Sequence, residues 1–357
     1  MRRLSIGELK PGMITAEDVY TPDGQLVIPL GLILDPKTIE KLDFYSVLFV
    51  RVEDEIAESV TSPITPPTYS DRIRETPEFK QFKAEFEEDV DNLKTVINDV
   101  VVKGSPLKVD DLMHQTLGVL EIPSTTGSLL DMIHCMRDYD DATYAHSINV
   151  ALICNVMARW LRMNEENIKM ATVSGLLHDI GKTQIPDEII KKPGKLTDAE
   201  FTLIKKHPFY GYQMLKNSTL DPQILNAVLM HHERCDGTGY PMGLHSRNIS
   251  TFARLVSIAD VYDAMTSARV YRNALCPFRT IEVFEKEGFQ KYDPQYVLNF
   301  LENVVNTYLL NDVRLTNGQT GTIVYVNKDK LSSPTVKTAT EFIDLSKHLD
   351  LKIEALI

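Results

Sequence analysis

Between residues 77 and 120 the apolar positions recur at spacings of three and four: Phe79, Phe82, Phe86, Val90, Leu93, Ile97 and Val101. That is the period of a helix with one apolar face. It predicts an amphipathic helix packed on a partner helix or on a second subunit, so residues 77–120 are also where a homodimer is expected. From Ser128 to Leu310 the chain reads as a succession of helices with few strand signals. Thr197-Asp198-Ala199-Glu200 fits a capping box, and Asp221-Pro222 sets a capping residue before a first-turn proline. The two ends follow a different pattern. Before residue 55, the runs Leu26-Val27-Ile28 and Val47-Leu48-Phe49-Val50 are separated by turn residues, Gly12 and Thr21-Pro22-Asp23-Gly24, with one helix near Lys37 to Leu42. After Arg314, Thr322-Ile323-Val324-Tyr325-Val326 and Phe342-Ile343 stand around the turn signal Asn317-Gly318.

The expected fold class is therefore mainly α, with a helical domain flanked by small β-rich modules. Residues 1–55 form the first module, 56–127 a linker and amphipathic helix region, 128–310 the helical domain and 311–357 the last β module. The polar, Pro-rich stretch from Glu55 to Pro77 is assigned to the linker.

Composition narrows the function classes. With 357 residues, 43% hydrophobic and 25% charged, the chain has enough apolar sequence for one substantial core and smaller modules. The most apolar stretch, Ile148 to Leu161, is interrupted by Asn149, Asn155 and Arg159, so no membrane span is expected. No signal-peptide pattern follows Arg2 and Arg3, and the four cysteines are irregularly spaced without a CxxC pair, so a cytoplasmic setting is expected. The net charge of −12 argues against a nucleic-acid polymer or an anionic membrane as partner. A small anionic ligand would need local positive charge from metal ions or placed Arg and Lys side chains.

Five histidines of the helical section stand beside carboxylates or one another: His146, His178 with Asp179, His207, and His231 with His232; Asp260 follows. Each falls on its own expected helix or helix end, so a bundle can bring them to one interior point. Neighbouring residues on a helix point about 100° apart, so a His-Asp or His-His pair serves two adjacent ions more readily than one. That suggests a dinuclear site. Imidazole and carboxylate without cysteine suit iron, manganese or zinc rather than a structural zinc cage. Gly181 after Asp179, and the Gly237-Thr238-Gly239-Tyr240-Pro241 loop after the His-His pair, allow sharp turns that present Lys182 and Tyr240 to the site. His114, His134, His245 and His348 are expected to be solvated or packed, and Cys235 inert. Asp263, Glu233 and Asp236 are candidate partners that orient the ligands.

These residues resemble the HD-GYP subgroup of the HD superfamily of metal-dependent phosphohydrolases. The match runs through His178-Asp179-Ile180-Gly181-Lys182, His207-Pro208, His231-His232-Glu233, Asp236-Gly237-Thr238-Gly239-Tyr240-Pro241 and Ile258-Ala259-Asp260-Val261-Tyr262-Asp263-Ala264, and ends at Arg269 to Arg272. It covers roughly Ser128 to Leu310. The resemblance implies an all-helical HD-type domain with metal ligands His146, His178, Asp179, His207, His231, His232 and Asp260, Asp179 bridging two ions. It also implies Lys182 at the scissile phosphate, and Tyr240, Arg269 and Arg272 on the rest of a cyclic dinucleotide. Family members with three metals carry a glutamate four residues before the first histidine, where this chain has Ala142. Two divalent transition metals are thus expected, iron or manganese first, with zinc, nickel or cobalt as alternatives. The implied activity is hydrolysis of cyclic di-GMP to linear pGpG through a metal-bridging hydroxide, with GMP as an alternative end product left open. Two alternatives stay open: hydrolysis of cyclic GMP-AMP or another nucleotide phosphoester, and a cyclic dinucleotide receptor with little turnover.

Overall fold

A computed structural model describes residues 2–20, 26–28, 30–32, 34, 38–39, 42, 49–53, 69–103, 107, 109–136, 142–192, 194–266 and 276–357. The chain divides into two units, Met1–Pro67 and Thr68–Ile357.

In the first unit, β1 (Arg2–Ser5) pairs antiparallel with β4 (Phe49–Val52), and β2 (Val19–Tyr20) with β3 (Leu26–Ile28). Along β4 the side chains alternate, Phe49 and Arg51 outward, Val50 and Val52 inward, as a strand with one buried face requires. Val50 and Val52 join Leu9, Met13, Val19, Ile28, Leu34 and Leu42 in a small core. The turn read at Thr21 to Gly24 and parts of the helix read near Lys37 lie outside the described residues, as does the linker up to Thr68.

The second unit is built of helices closed by one sheet. Its first helices are α1 (Tyr69–Glu75), α2 (Pro77–Lys103), α3 (Val109–Glu121), α4 (Thr126–Cys135), α5 (Ala142–Trp160) and α6 (Glu165–Leu177). Short α7 (Asp187–Ile190) and α8 (Asp198–Ile204) lead to α9 (His207–Leu215), α10 (Pro222–Met230) and α11 (Thr251–Thr266). After α12 (Pro277–Val283), a π-helical turn at Phe284–Gly288 and α13 (Phe289–Lys291) comes α14 (Pro294–Thr307). Helix α1 lies within the stretch assigned from sequence to the linker. Both sequence-read caps form: Thr197 and Glu200 make a reciprocal capping box, and Asp221 accepts the Gln223 amide at 2.8 Å.

The stripe on α2 is buried inside its own chain. Phe82, Phe86, Val90 and Leu93 are fully buried, and α2 packs on α3 and α5. The apolar face that suggested a dimer is thus occupied by neighbouring helices of the same unit. At the centre, α5, α6, α9, α10 and α11 pack on one another. Helices α5 and α6 bury residues on nearly every side, which explains sequences that are apolar almost all round.

The carboxy-terminal sheet has the order β8-β7-β6-β5-β9, formed by β5 (Asp312–Leu315), β6 (Thr320–Tyr325), β7 (Thr335–Thr338), β8 (Phe342–Asp344) and β9 (Ile353–Leu356), all antiparallel. Asn317-Gly318 turns β5 into β6, with Gly318 at φ 83°. Val313, Leu315, Ile323, Val336 and Ile353 are buried and continue the helical core. The architecture is mainly α with small β modules.

Candidate metal centre

The site forms where helix ends meet. His178 caps the C-terminus of α6 and Asp179 follows it, His207 opens α9, His231 caps α10, and His146 and Asp260 lie within α5 and α11. One close approach holds the arrangement together. A Cβ on Gly181 would collide with the His207 carbonyl oxygen and the Gly211 amide nitrogen, so only glycine lets the turn after Asp179 lie against α9.

All seven residues singled out as ligands are brought to one place, in two sets. Asp179, His207, His231 and His232 form one, and His146, His178 and Asp260 the other; within each, one ligand atom per residue lies within 4.8 Å of the rest. Asp179 stands between them. Its Oδ1 is 3.2 Å from His207 Nε2 and 3.8 Å from His231 Nε2; its Oδ2 is 3.2 Å from His178 Nε2 and 3.7 Å from His146 Nε2. Asp260 also faces both sets, with Oδ1 3.1 Å from His146 Nε2 and Oδ2 3.7 Å from His232 Nδ1.

The imidazoles are oriented by their other nitrogens. His178, His207 and His231 each donate Nδ1–H to the carbonyl three residues earlier, those of Gly175 (2.7 Å), Ile204 (2.8 Å) and Val228 (2.8 Å). That assignment leaves each Nε2 lone pair directed at the site. His146 Nδ1 bonds Asp263 Oδ2 at 2.6 Å, and Asp263 Oδ1 accepts Asn149 Nδ2 at 3.0 Å. His146 with Asn149, and Asp260 with Asp263, are each three residues apart on a helix, so each pair shares a face.

The electrostatics favour a bound cation. Burial raises the carboxyls of Asp179 and Asp260, yet the positive partners win, His178 and Lys182 for the first, His146 and His232 for the second, and both sit well below the usual range. Burial and neighbouring imidazoles hold His231 well below its ordinary value, and burial takes His232 down to about 3. Burial opposes charge on His146, but hydrogen bonds to Asp260 and Asp263 lift it to about 9. Asp179 Oδ1 and His178 Nε2 are buried without a hydrogen-bond partner. Such atoms are costly to leave unsatisfied. Imidazole nitrogens and carboxylate oxygens converging on them suit a divalent metal, so the residues present fit one.

Around the centre, Lys182 Nζ bonds Asp179 Oδ2 while its side chain stays 24% exposed. The Tyr240 ring lies against that of His232, tilted by 33° with centroids 4.7 Å apart, and the Tyr240 amide donates to the His232 carbonyl at 3.1 Å. Arg269 and Arg272 lie outside the described residues. Asp263 bonds the His146 ring, whereas Glu233 and Asp236 act on the loop instead. Glu233 is buried and accepts the amides of Met242 (2.7 Å) and Leu244 (2.8 Å); exposed Asp236 accepts the Thr238 amide and hydroxyl. Asn149 escaped the sequence reading, where it counted only as an interruption in an apolar run. A polar residue one helical turn after His146 was the available signal.

Residues 132–296 match the family model described as the HD domain. HD domains bind divalent metals, and the buried His/Asp group is where this chain could bind them. The chain is 38% identical over 213 residues to a cyclic di-GMP phosphodiesterase of Pseudomonas aeruginosa, covering 59% of this chain and 50% of that protein. It is 35% identical over 187 residues to 3'3'-cGAMP-specific phosphodiesterase 1 of Vibrio cholerae, covering 52% and 42%. A cyclic di-GMP phosphodiesterase of Thermotoga maritima is 36% identical over 177 residues, covering 49% and 48%. The chain thus spans about half the length of the curated relatives it matches. No helix among the described residues is long and apolar enough to cross a membrane.

Proposed function

We propose that this chain is a metal-dependent phosphodiesterase that opens cyclic dinucleotides, hydrolysing cyclic di-GMP to linear pGpG. The observation that carries the reading is the division of the Asp179 carboxylate, one oxygen toward His207 and His231 and the other toward His146 and His178. A single carboxylate between two donor sets favours two divalent metals, iron or manganese first, with Asp179 shared. Bound metal ions supply a lowered water pKa and offset charge on a phosphate.

The chain's own residues supply the rest. Lys182, anchored on Asp179 and partly exposed, offers a fixed cation to the scissile phosphate from an enclosed site, where charge acts more strongly. Asp263 and Asn149 keep the His146 ring in place, and Glu233 holds the loop so that Tyr240 stays against His232. Tyr240, with Arg269 and Arg272, is assigned to the remainder of the dinucleotide. Cyclic GMP-AMP is the second substrate to test, since a relative named as specific for it is 35% identical to this chain over 187 residues.

The test is anaerobic purification, elemental analysis, and chromatography of cyclic di-GMP and cyclic GMP-AMP after incubation, with Asp179→Ala as control. About two metals per chain and turnover lost in the variant are expected. Metal-loaded protein that binds without cleaving would establish a receptor instead, and protein that takes up no metal would overturn the ligand assignment.

A further inference from the structure

A second cavity, of about 480 Å³, opens between α12, the π-helical turn and the carboxy-terminal sheet module. Its volume lies within the range of small-molecule sites, which often form at junctions between structural units. Five cations line it: Arg279, Lys286, Lys328, Lys330 and Lys352. Only three carboxylates do, Glu282, Glu285 and Asp329, which leaves an excess of two positive charges in a chain of net charge −12.

The pairing inside the cavity sharpens this imbalance. Glu282 alone receives three of the cations, Arg279 at 2.6 Å, Lys286 at 2.8 Å and Lys352 at 2.6 Å. Glu285 is engaged by the Ser332 amide and hydroxyl rather than by a cation. Apolar walls come from Phe278, Phe289, Leu298 and Leu351. Cationic head space beside apolar wall matches a phosphorylated molecule with an apolar body more closely than a bare ion.

We propose that the cavity between α12 and the carboxy-terminal sheet is a binding site for a small phosphorylated ligand of nucleotide size, separate from the metal centre. The terminal module thereby completes a site that the helical domain lacks alone. Because the cavity shares none of the metal-centre residues, the assignment stands or falls independently of the phosphodiesterase reading.

Calorimetric titration of the full chain, stripped of metal by chelation, with GMP, AMP and inorganic pyrophosphate tests it. The comparison is between the wild type, the double variant K328E/K330E and His207→Ala. The expected result is one site per chain for a nucleotide, weakened roughly tenfold or more in K328E/K330E and by added salt, and unchanged in His207→Ala. Tighter binding of GMP and AMP than of pyrophosphate would support the apolar wall as part of the site. Pyrophosphate binding alone, binding indifferent to the lysine pair, binding lost in His207→Ala, or no heat from any probe would each overturn the proposal. Circular dichroism of K328E/K330E checks that the fold is retained, and Lys330→Met, which removes charge without reversing it, should give the same direction of change.

Discussion

Replacing Asp263 with alanine removes the acceptor of two buried hydrogen bonds, from His146 Nδ1 at 2.6 Å and from Asn149 Nδ2 at 3.0 Å. Neither donor gains water in exchange, because His146 and Asn149 are both buried. Losing a partner at a buried donor costs about 1–3 kcal/mol, so folding stability should fall by about 2–6 kcal/mol for the two together. The effect on metal uptake follows from geometry. His146 keeps its place on α5 but loses what fixes its ring, and loss of such an outer hydrogen bond typically costs about 10–100-fold in metal affinity. The cost should fall on the set of His146, His178 and Asp260, leaving His207, His231 and His232 nearly unaffected, since none of these three bonds Asp263. Titration of manganese into metal-free protein against a competing chelator, with a parallel thermal melt, reads both quantities. Asp263→Asn retains one oxygen acceptor and should fall between the wild type and Asp263→Ala. Two metal affinities equal to wild type in Asp263→Ala, or an equal loss at both sets, would refute this account of the centre.

Gly181→Ala should disrupt the packing of the Asp179 turn on α9 and lower both the melting temperature and the metal stoichiometry, measured by scanning calorimetry and elemental analysis, because its Cβ would meet backbone rather than a yielding side chain. Phe82→Ala should destabilise the protein by about 3–5 kcal/mol in urea titration, since the ring is fully buried and stacks at 5.8 Å on Phe86. Asp89, buried on α2 with neither carboxylate oxygen hydrogen-bonded, has its carboxyl raised by burial from 3.8 to about 7. The folded state then holds a proton that the unfolded chain has released, so stability declines from about pH 4 to pH 7 and is level above. Asp89→Asn should remove that decline, stabilising the protein by about 1–3 kcal/mol at pH 8 with little change near pH 4; no pH-dependent difference in urea midpoints would refute it.

Helix ends and the residues that converge on the candidate centre were legible in the sequence because each rests on local chemistry. A capping threonine with a glutamate three residues on works wherever it stands, and His178-Asp179-Ile180-Gly181-Lys182 carries its ligands and its turn in one short string. What was hidden depends on partners remote in sequence. The stripe on α2 reports an apolar face, but periodicity alone does not say whether α3 and α5 or another subunit covers it. Helix α1 was hidden for a related reason. It follows a Pro-rich stretch, and its seven residues are anchored by Tyr69 donating to Asp131 at 2.6 Å and accepting from Asn311 at 3.1 Å, partners 62 and 242 residues away.

The same distinction separates the metal centre from the residues that support it. The candidate ligands are all histidine or aspartate, residue types that stand out even in an unfamiliar chain. A supporting residue needs only a hydrogen-bonding atom in the right place, which backbone carbonyls supply for His178, His207 and His231. His146 lies inside α5, where its own i−3 and i−4 carbonyls are taken by the helix ladder, whereas His178, His207 and His231 each follow the last turn of a helix, α6, α8 and α10, whose carbonyls are left over. A ligand inside a helix must therefore recruit a side chain, which is why Asp263 of α11, itself held by Asn149 of α5, stands behind His146. By this reasoning, substitutions behind the centre should impair metal binding most on the His146 side, where side chains perform what backbone performs elsewhere.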